Sequence, residues 1–201
     1  MKRVVFFFVL GLATSGIASA DVIVALNSGP VVNGGNFNWT YTATLKSGAS
    51  LLTGDFFTIY DIGGFGPGAP IAGNVILPGS NWSSSIQLLG TNGFATAPAD
   101  SNSIFNVTYT FTGSSIIAAA DTILGGGAGA FGYTSSSNTS FTGAFSATSH
   151  ITAGGATAGN NSTVTVAGAA PAQVPESSTT LLSGIGLIAL GLLSRRRRRA
   201  V

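Results

Sequence analysis

The stretch Phe37-Asn38-Trp39-Thr40-Tyr41-Thr42-Ala43-Thr44-Leu45 decides the fold. Apolar and polar residues alternate through it without a break. A second stretch, Phe105-Asn106-Val107-Thr108-Tyr109-Thr110-Phe111-Thr112, repeats the pattern. In an extended chain successive side chains point to opposite faces, so this alternation places every large apolar group on one side of a sheet. Thr, Val and the aromatics also suit a pleated, half-buried surface. Both stretches are therefore predicted strands, with Trp39 a core residue.

Further strands are expected at Val22 to Leu26, Phe56 to Asp61, Asn74 to Leu77, Ser83 to Leu88, Ala130 to Thr134, Phe141 to Thr148 and Ser162 to Ala167. Asp55 to Ile62 is almost continuously apolar, as in a strand covered on both faces. Turn chemistry separates these runs: Asn27-Ser28-Gly29-Pro30, Gly34-Gly35, Gly63-Gly64, Gly66-Pro67-Gly68, Pro78-Gly79 and Asn92-Gly93. Phe94 to Ser103 and Gly154 to Asn161 read as longer loops. Ile116 to Leu124 suits a helix or a strand. Many short strands at this spacing suggest an antiparallel sandwich or barrel, and the expected all-β body over residues 21–167 is an antiparallel β-sandwich of jelly-roll or Ig-like kind.

The 201-residue chain is sparsely charged, 7% of residues against roughly 25% in an ordinary soluble protein. It holds 29 glycines and no cysteine, which excludes disulfides and thiolate metal sites. Charge is segregated. Between Asp21 and Gln173 stand one lysine, Lys46, and five aspartates, a net of −4. A nucleic-acid partner would require a basic face on this body, so none is expected.

The two ends read as addresses. Met1-Lys2-Arg3 precedes the apolar run Val4 to Ala13, and small residues follow to Ala18-Ser19-Ala20. That three-part order is a secretory signal peptide over 1–20, with Ala18 and Ala20 at the cleavage site. The apolar run is shorter than the ~20 residues of a membrane span. The expected partners here are the Sec translocon and signal peptidase.

At the other end, a linker at 168–173 leads to Val174-Pro175-Glu176, then to the apolar run Leu181 to Leu193, then to Arg195, Arg196, Arg197, Arg198 and Arg199. The apolar run would form a single short transmembrane helix that enters the inner membrane, and the arginines would act as its cytoplasmic stop. Pro175 holds Val174 extended on the far side. A plain membrane anchor shares the last two parts and has no use for the Val-Pro-Glu motif. A sortase signal would carry Leu-Pro-x-Thr-Gly, which does not occur. A eukaryotic lipid-anchor signal has no terminal arginine block.

This order over Val174 to Arg199 closely resembles the PEP-CTERM sorting signal of Gram-negative bacteria, which the membrane enzyme exosortase recognises. Ser177 stands where the family's usual motif has its second proline. The resemblance implies cleavage near Pro175-Glu176 and delivery of the body to the cell surface or extracellular matrix. The stretch Asp55-Phe56-Phe57-Thr58-Ile59-Tyr60-Asp61-Ile62 also resembles a segment of other exported proteins with this tail; it supports a shared sandwich body and implies no activity.

The body is poor in reactive groups. His150 is its only histidine. A hydrolytic triad needs a histidine, an acid and a nucleophile together, and no motif marks such a group, so no catalytic residue, cofactor or enzyme activity is expected. Asp55 and Asp61 flank an apolar strand and read as strand-end residues rather than as a glycosidase pair. No calcium-loop motif occurs, and no metal site is expected. Trp82 follows the Pro78-Gly79 turn. On an outer position it would stack on a sugar; on an inner one it would edge the core, the commoner setting for tryptophan. Asn-x-Ser/Thr sequons start at Asn38, Asn81, Asn106, Asn138, Asn160 and Asn161.

These observations lead to an exported structural or interaction protein of a biofilm matrix or exopolysaccharide layer. A carbohydrate-binding module or adhesin is the alternative, with Trp82 its first contact. A secreted hydrolase, built on His150 and an aspartate, comes third.

Overall fold

A computed structural model describes residues 21–66, 74–92, 98–125, 130–151 and 155–168. The chain separates into two units, Met1–Ala170 and Pro171–Val201, and every described residue belongs to the first. All regular structure among the described residues is strand: β1 (Val22–Asn33), β2 (Asn36–Leu45), β3 (Ala49–Leu51), β4 (Phe56–Ile59), β5 (Val75–Ile76), β6 (Trp82–Gln87), β7 (Asn106–Phe111), β8 (Ile116–Ile117), β9 (Thr122–Gly125), β10 (Phe131–Ser135), β11 (Ser140–Ile151) and β12 (Thr157–Ala167).

The strands form two antiparallel sheets. One runs β1-β2-β10-β5, with β9 also paired to β2. The other runs β6-β7-β4-β11-β3-β8, with β12 on the far side of β11. The alternating stretches behave as their pattern requires: Trp39, Tyr41, Ala43 and Leu45 of β2 are each 0% exposed, and Val107, Tyr109 and Phe111 of β7 are buried opposite them.

The largest side chains buried in the core are aromatic. The Phe131 ring from the first sheet meets Phe57, Trp82 and Tyr109 from the second at centroid distances of 4.8, 4.7 and 5.2 Å, each edge-on. Edge-to-face contact sets the positive rim of one ring on the negative face of another. Tyrosine hydroxyls then find partners across the gap, as buried polar groups must. Tyr109 donates to the Gly132 carbonyl at 2.7 Å, and Tyr41 donates to the Thr165 carbonyl at 3.0 Å.

Strand β4 is covered on both faces, as its apolar run predicts. It lies between β7 and β11, and Thr58, on its outer side, is 0% exposed. The outer cover is the segment after β6: the Thr91 carbonyl accepts from the Thr58 hydroxyl at 2.8 Å and from the Tyr60 hydroxyl at 3.0 Å. Ser85, Thr108, Thr58, Ser146 and Asn161 stand in register across five strands, so this outer layer is built of hydroxyls and amides.

Two expectations are corrected. Gly154 to Asn161 is not a loop throughout, because β12 begins at Thr157 and pairs with β11 from His150 onward. Its Gly and Asn residues are carried by a ladder of eleven cross-strand pairs, which overrides their weak local propensity. The Asn27 to Pro30 turn signal falls inside β1, where it appears as register shifts between Leu26 and Ser28 and between Ser28 and Val31. Ile116 to Leu124 resolves into strands: β8 ends on the second sheet, and β9 begins on the first.

Candidate functional site

The chemistry-bearing residues of the body meet at one end of β11. His150 sits in register between Ser50 of β3 and Thr157 of β12. Phe145 and Ala147 of β11 are core residues and Ser149 is 0% exposed, so the alternation puts His150 on the outer side of the sheet. Asp55 approaches from the turn that joins β3 to β4. That turn is closed on itself: the Asp55 amide donates to the Leu52 carbonyl at 3.0 Å, and the Leu52 amide donates to Asp55 Oδ2 at 2.7 Å.

Asp55 Oδ2 then lies 3.0 Å from His150 Nδ1, and His150 Nε2 lies 3.2 Å from Thr157 Oγ1. A carboxylate only accepts, so Nδ1 of the neutral imidazole carries the proton. Nε2 is then an acceptor, and the threonine hydroxyl is the donor. The three residues form a proton-ordered chain, Thr157 to His150 to Asp55. It is graded in depth: Asp55 is 5% exposed, the His150 side chain 16%, and Thr157 is open to solvent. Such an arrangement orients the imidazole and polarises the hydroxyl toward losing its proton.

Asp55 and Asp61 do not act as a pair. Asp61 has φ 54° and accepts the Ser101 amide at 3.0 Å. Burial raises its pKa above the ordinary carboxylate range; the Ser101 bond opposes this, and the charge of Asp100 adds to it. Asn106 lies beside both Asp61 and Asp100: its Oδ1 accepts the Asp61 amide at 2.7 Å, and its Nδ2 donates to Asp100 at 2.9 Å and to the Leu88 carbonyl at 3.1 Å. With its amide fully used and 0% exposed, Asn106 is unsuited to modification despite its sequon. No group of three or more potential metal-ligating side chains occurs among the described residues.

Trp82 does not present a stacking face. It is 7% exposed and its ring lies 5.2 Å from Phe111 and 6.0 Å from Phe57. As the first residue of β6 it pairs with Phe111, which fixes its side chain on the core face. An open groove of about 300 Å³ runs between β1 and β12, lined by Val24, Ala25, Leu26, Thr142 and Thr163 to Thr165, without an aromatic or charged side chain.

The sequence signalled Asp55 and His150 only as separate residues, and Thr157 was hidden in the expected loop. The one cue was the hairpin spacing that sets Thr157 opposite His150 once β12 is recognised. Ala18, Ala20, Val174, Pro175, Glu176 and Arg195 to Arg199 lie outside the described residues, as do the predicted signal peptide and transmembrane helix. The described body thus defines a class, an all-β protein of two antiparallel sheets with a Thr-His-Asp chain on one outer face. No family profile, curated protein or solved structure matches the chain.

Proposed function

We propose that this chain is an exported structural or interaction protein of the bacterial surface or extracellular matrix, and not an enzyme. Its sandwich body, of jelly-roll or Ig-like kind, is carried across the inner membrane by a signal peptide over 1–20 and cut after Ala20. A short transmembrane helix holds the C-terminus until exosortase acts near Val174-Pro175-Glu176.

The observation that carries this reading is the C-terminal order of Pro-Glu motif, apolar run and five arginines. The motif gives the processing enzyme a grip, the apolar run partitions into the bilayer, and the arginines stay on the cytoplasmic side. The body agrees with life in a hydrated matrix. It has six charged side chains over 21–173, and Ser83 to Ser85 of β6 and Asn161 to Thr163 of β12 are exposed hydroxyls and amides. Exopolysaccharide is the partner such a sparsely charged surface suits. The carbohydrate-binding alternative loses its first contact with the burial of Trp82.

The test is the intact mass and C-terminal peptide of the protein recovered from its host, with and without exosortase. The reading expects a chain that starts at Asp21 and ends near Val174 to Ser177, and a retained tail when the enzyme is missing. A secreted or membrane-held chain that keeps Leu181 to Arg199 in the presence of exosortase would overturn it.

A further inference from the structure

The Thr157–His150–Asp55 chain has no place in the export reading, and its geometry demands an account. A cross-strand threonine on an outer face can satisfy its hydroxyl with water. Here the hydroxyl lies 3.2 Å from the one imidazole of the body, whose other nitrogen is held at 3.0 Å by a carboxylate only 5% exposed. Placing a carboxylate that deep is unfavourable unless it is hydrogen-bonded, and Asp55 Oδ2 accepts both the Leu52 amide at 2.7 Å and His150 Nδ1 at 3.0 Å. The one lysine of the body, Lys46, is engaged with Asp121 instead. The buried acid, the half-covered base and the open hydroxyl stand in the order that activates a nucleophile.

We propose that Thr157 is a nucleophilic acyl-acceptor site, at which the folded body takes an acyl group from an activated carboxylic ester and keeps it as a threonine ester. Thr157 Oγ1 attacks the carbonyl carbon, and a new C–O bond forms to threonine. The bond to the leaving oxygen breaks. The hydroxyl proton passes to His150 Nε2 and from there to the departing oxygen. Asp55 holds the imidazole in the tautomer that accepts, and stabilises the imidazolium while it exists. No oxidant or reductant is needed. His150 is the general base in this step, and Asp55 is a positioning residue. The proposal does not depend on the export reading, since it concerns the body alone as folded within the full chain.

The experiment treats the purified full-length protein with p-nitrophenyl acetate and follows acetylation by peptide mass mapping. Ser83, Ser84 and Ser85 of β6 are exposed hydroxyls of the same molecule and serve as internal comparators. General-base assistance contributes about 10²–10⁴-fold, so acetylation at Thr157 is expected to outpace the three serines by about a hundredfold or more. Thr157→Ser retains the preference, Thr157→Val abolishes it, and His150→Gln lowers the Thr157 rate by about a hundredfold. Equal acetylation of Thr157 and the three serines, or an unchanged rate in His150→Gln, overturns the proposal. Should His150→Gln fail to fold, the ratio within the wild-type molecule and the Thr157→Ser and Thr157→Val pair still decide it.

Discussion

The hydroxyls of Tyr41 and Tyr133 lie 2.7 Å apart, between the two sheets of the body. Each also reaches strand β12: the Ala167 amide donates to Tyr133 at 3.1 Å, and Tyr41 donates to the Thr165 carbonyl at 3.0 Å. The protons therefore run in one direction, from Ala167 through Tyr133 and Tyr41 to Thr165. The two phenols thus satisfy each other, the Ala167 amide and the Thr165 carbonyl, and at this end of β12 the edge away from β11 is bonded by side chains rather than by another strand.

Removing one phenol leaves its neighbours without partners. Tyr41→Phe orphans the Thr165 carbonyl, and Tyr133→Phe orphans the Ala167 amide. Each is expected to destabilise the body by ~1–3 kcal/mol, seen as a lower urea midpoint.

The same tyrosines set an alkaline limit. Burial is the main cause that raises the pKa values of Tyr41, Tyr109 and Tyr133 above the ordinary phenol value. Unfolded tyrosines ionise near pH ~10, while the folded ones stay neutral to higher pH. The unfolded state is thus favoured as pH rises. The contribution to stability is whole below pH ~10 and is lost progressively above it. Thermal melts across that range should show a falling midpoint, and Tyr41→Phe should reduce the slope.

Asp61→Asn is expected to stabilise the body at neutral pH. Its folded pKa is raised, chiefly by burial, so the charged form is disfavoured in the fold. The wild-type contribution is best below the unfolded value of ~3.9 and is lost as pH rises through the folded pKa. Asparagine keeps an oxygen for the Ser101 amide, removes the repulsion with Asp100 and tolerates the left-handed φ. With solvent screening, a gain of about 0.5 kcal/mol at pH 7 is expected, vanishing below pH ~4. Melting temperatures of the two proteins at both pH values check the sign.

Trp82→Ala tests the core assignment. A buried Trp truncated to Ala costs about 3–5 kcal/mol. Loss of that size in denaturant unfolding is expected, whereas a surface platform would change ligand retention with little effect on stability.

The Gly63 and Gly168 backbones touch where β12 ends. A Cβ on Gly168 would sit 2.5 Å from the Gly63 Cα, and Gly168 also has φ +101°. The Gly63 amide donates to the Ala167 carbonyl at 2.8 Å, so the contact latches the end of β12. Gly168→Ala should lower stability by ~1–3 kcal/mol by thermal melt, through both the clash and the strained φ.

The strands and their inner faces were legible from residue order alone, because alternation is a local property of an extended chain. Trp39, Tyr41, Tyr109 and Phe111 could be assigned to the core from their neighbours. The segregation of charge to the two ends was equally plain. Whatever depends on which strand lies beside which came from the folded arrangement. Asp55 and His150 are 95 residues apart in the chain, and only the antiparallel order of β3, β4 and β11 joins them. Thr157 became part of the site through the register of β11 with β12, a ladder that carries Gly and Asn residues where local propensity expects a loop. Trp82, next to a turn, had no preceding alternation to place it, and its pairing with Phe111 turned it inward. Periodicity reports which way a side chain faces; long-range pairing reports what it meets there, and the proton-ordered chain exists only at the second level.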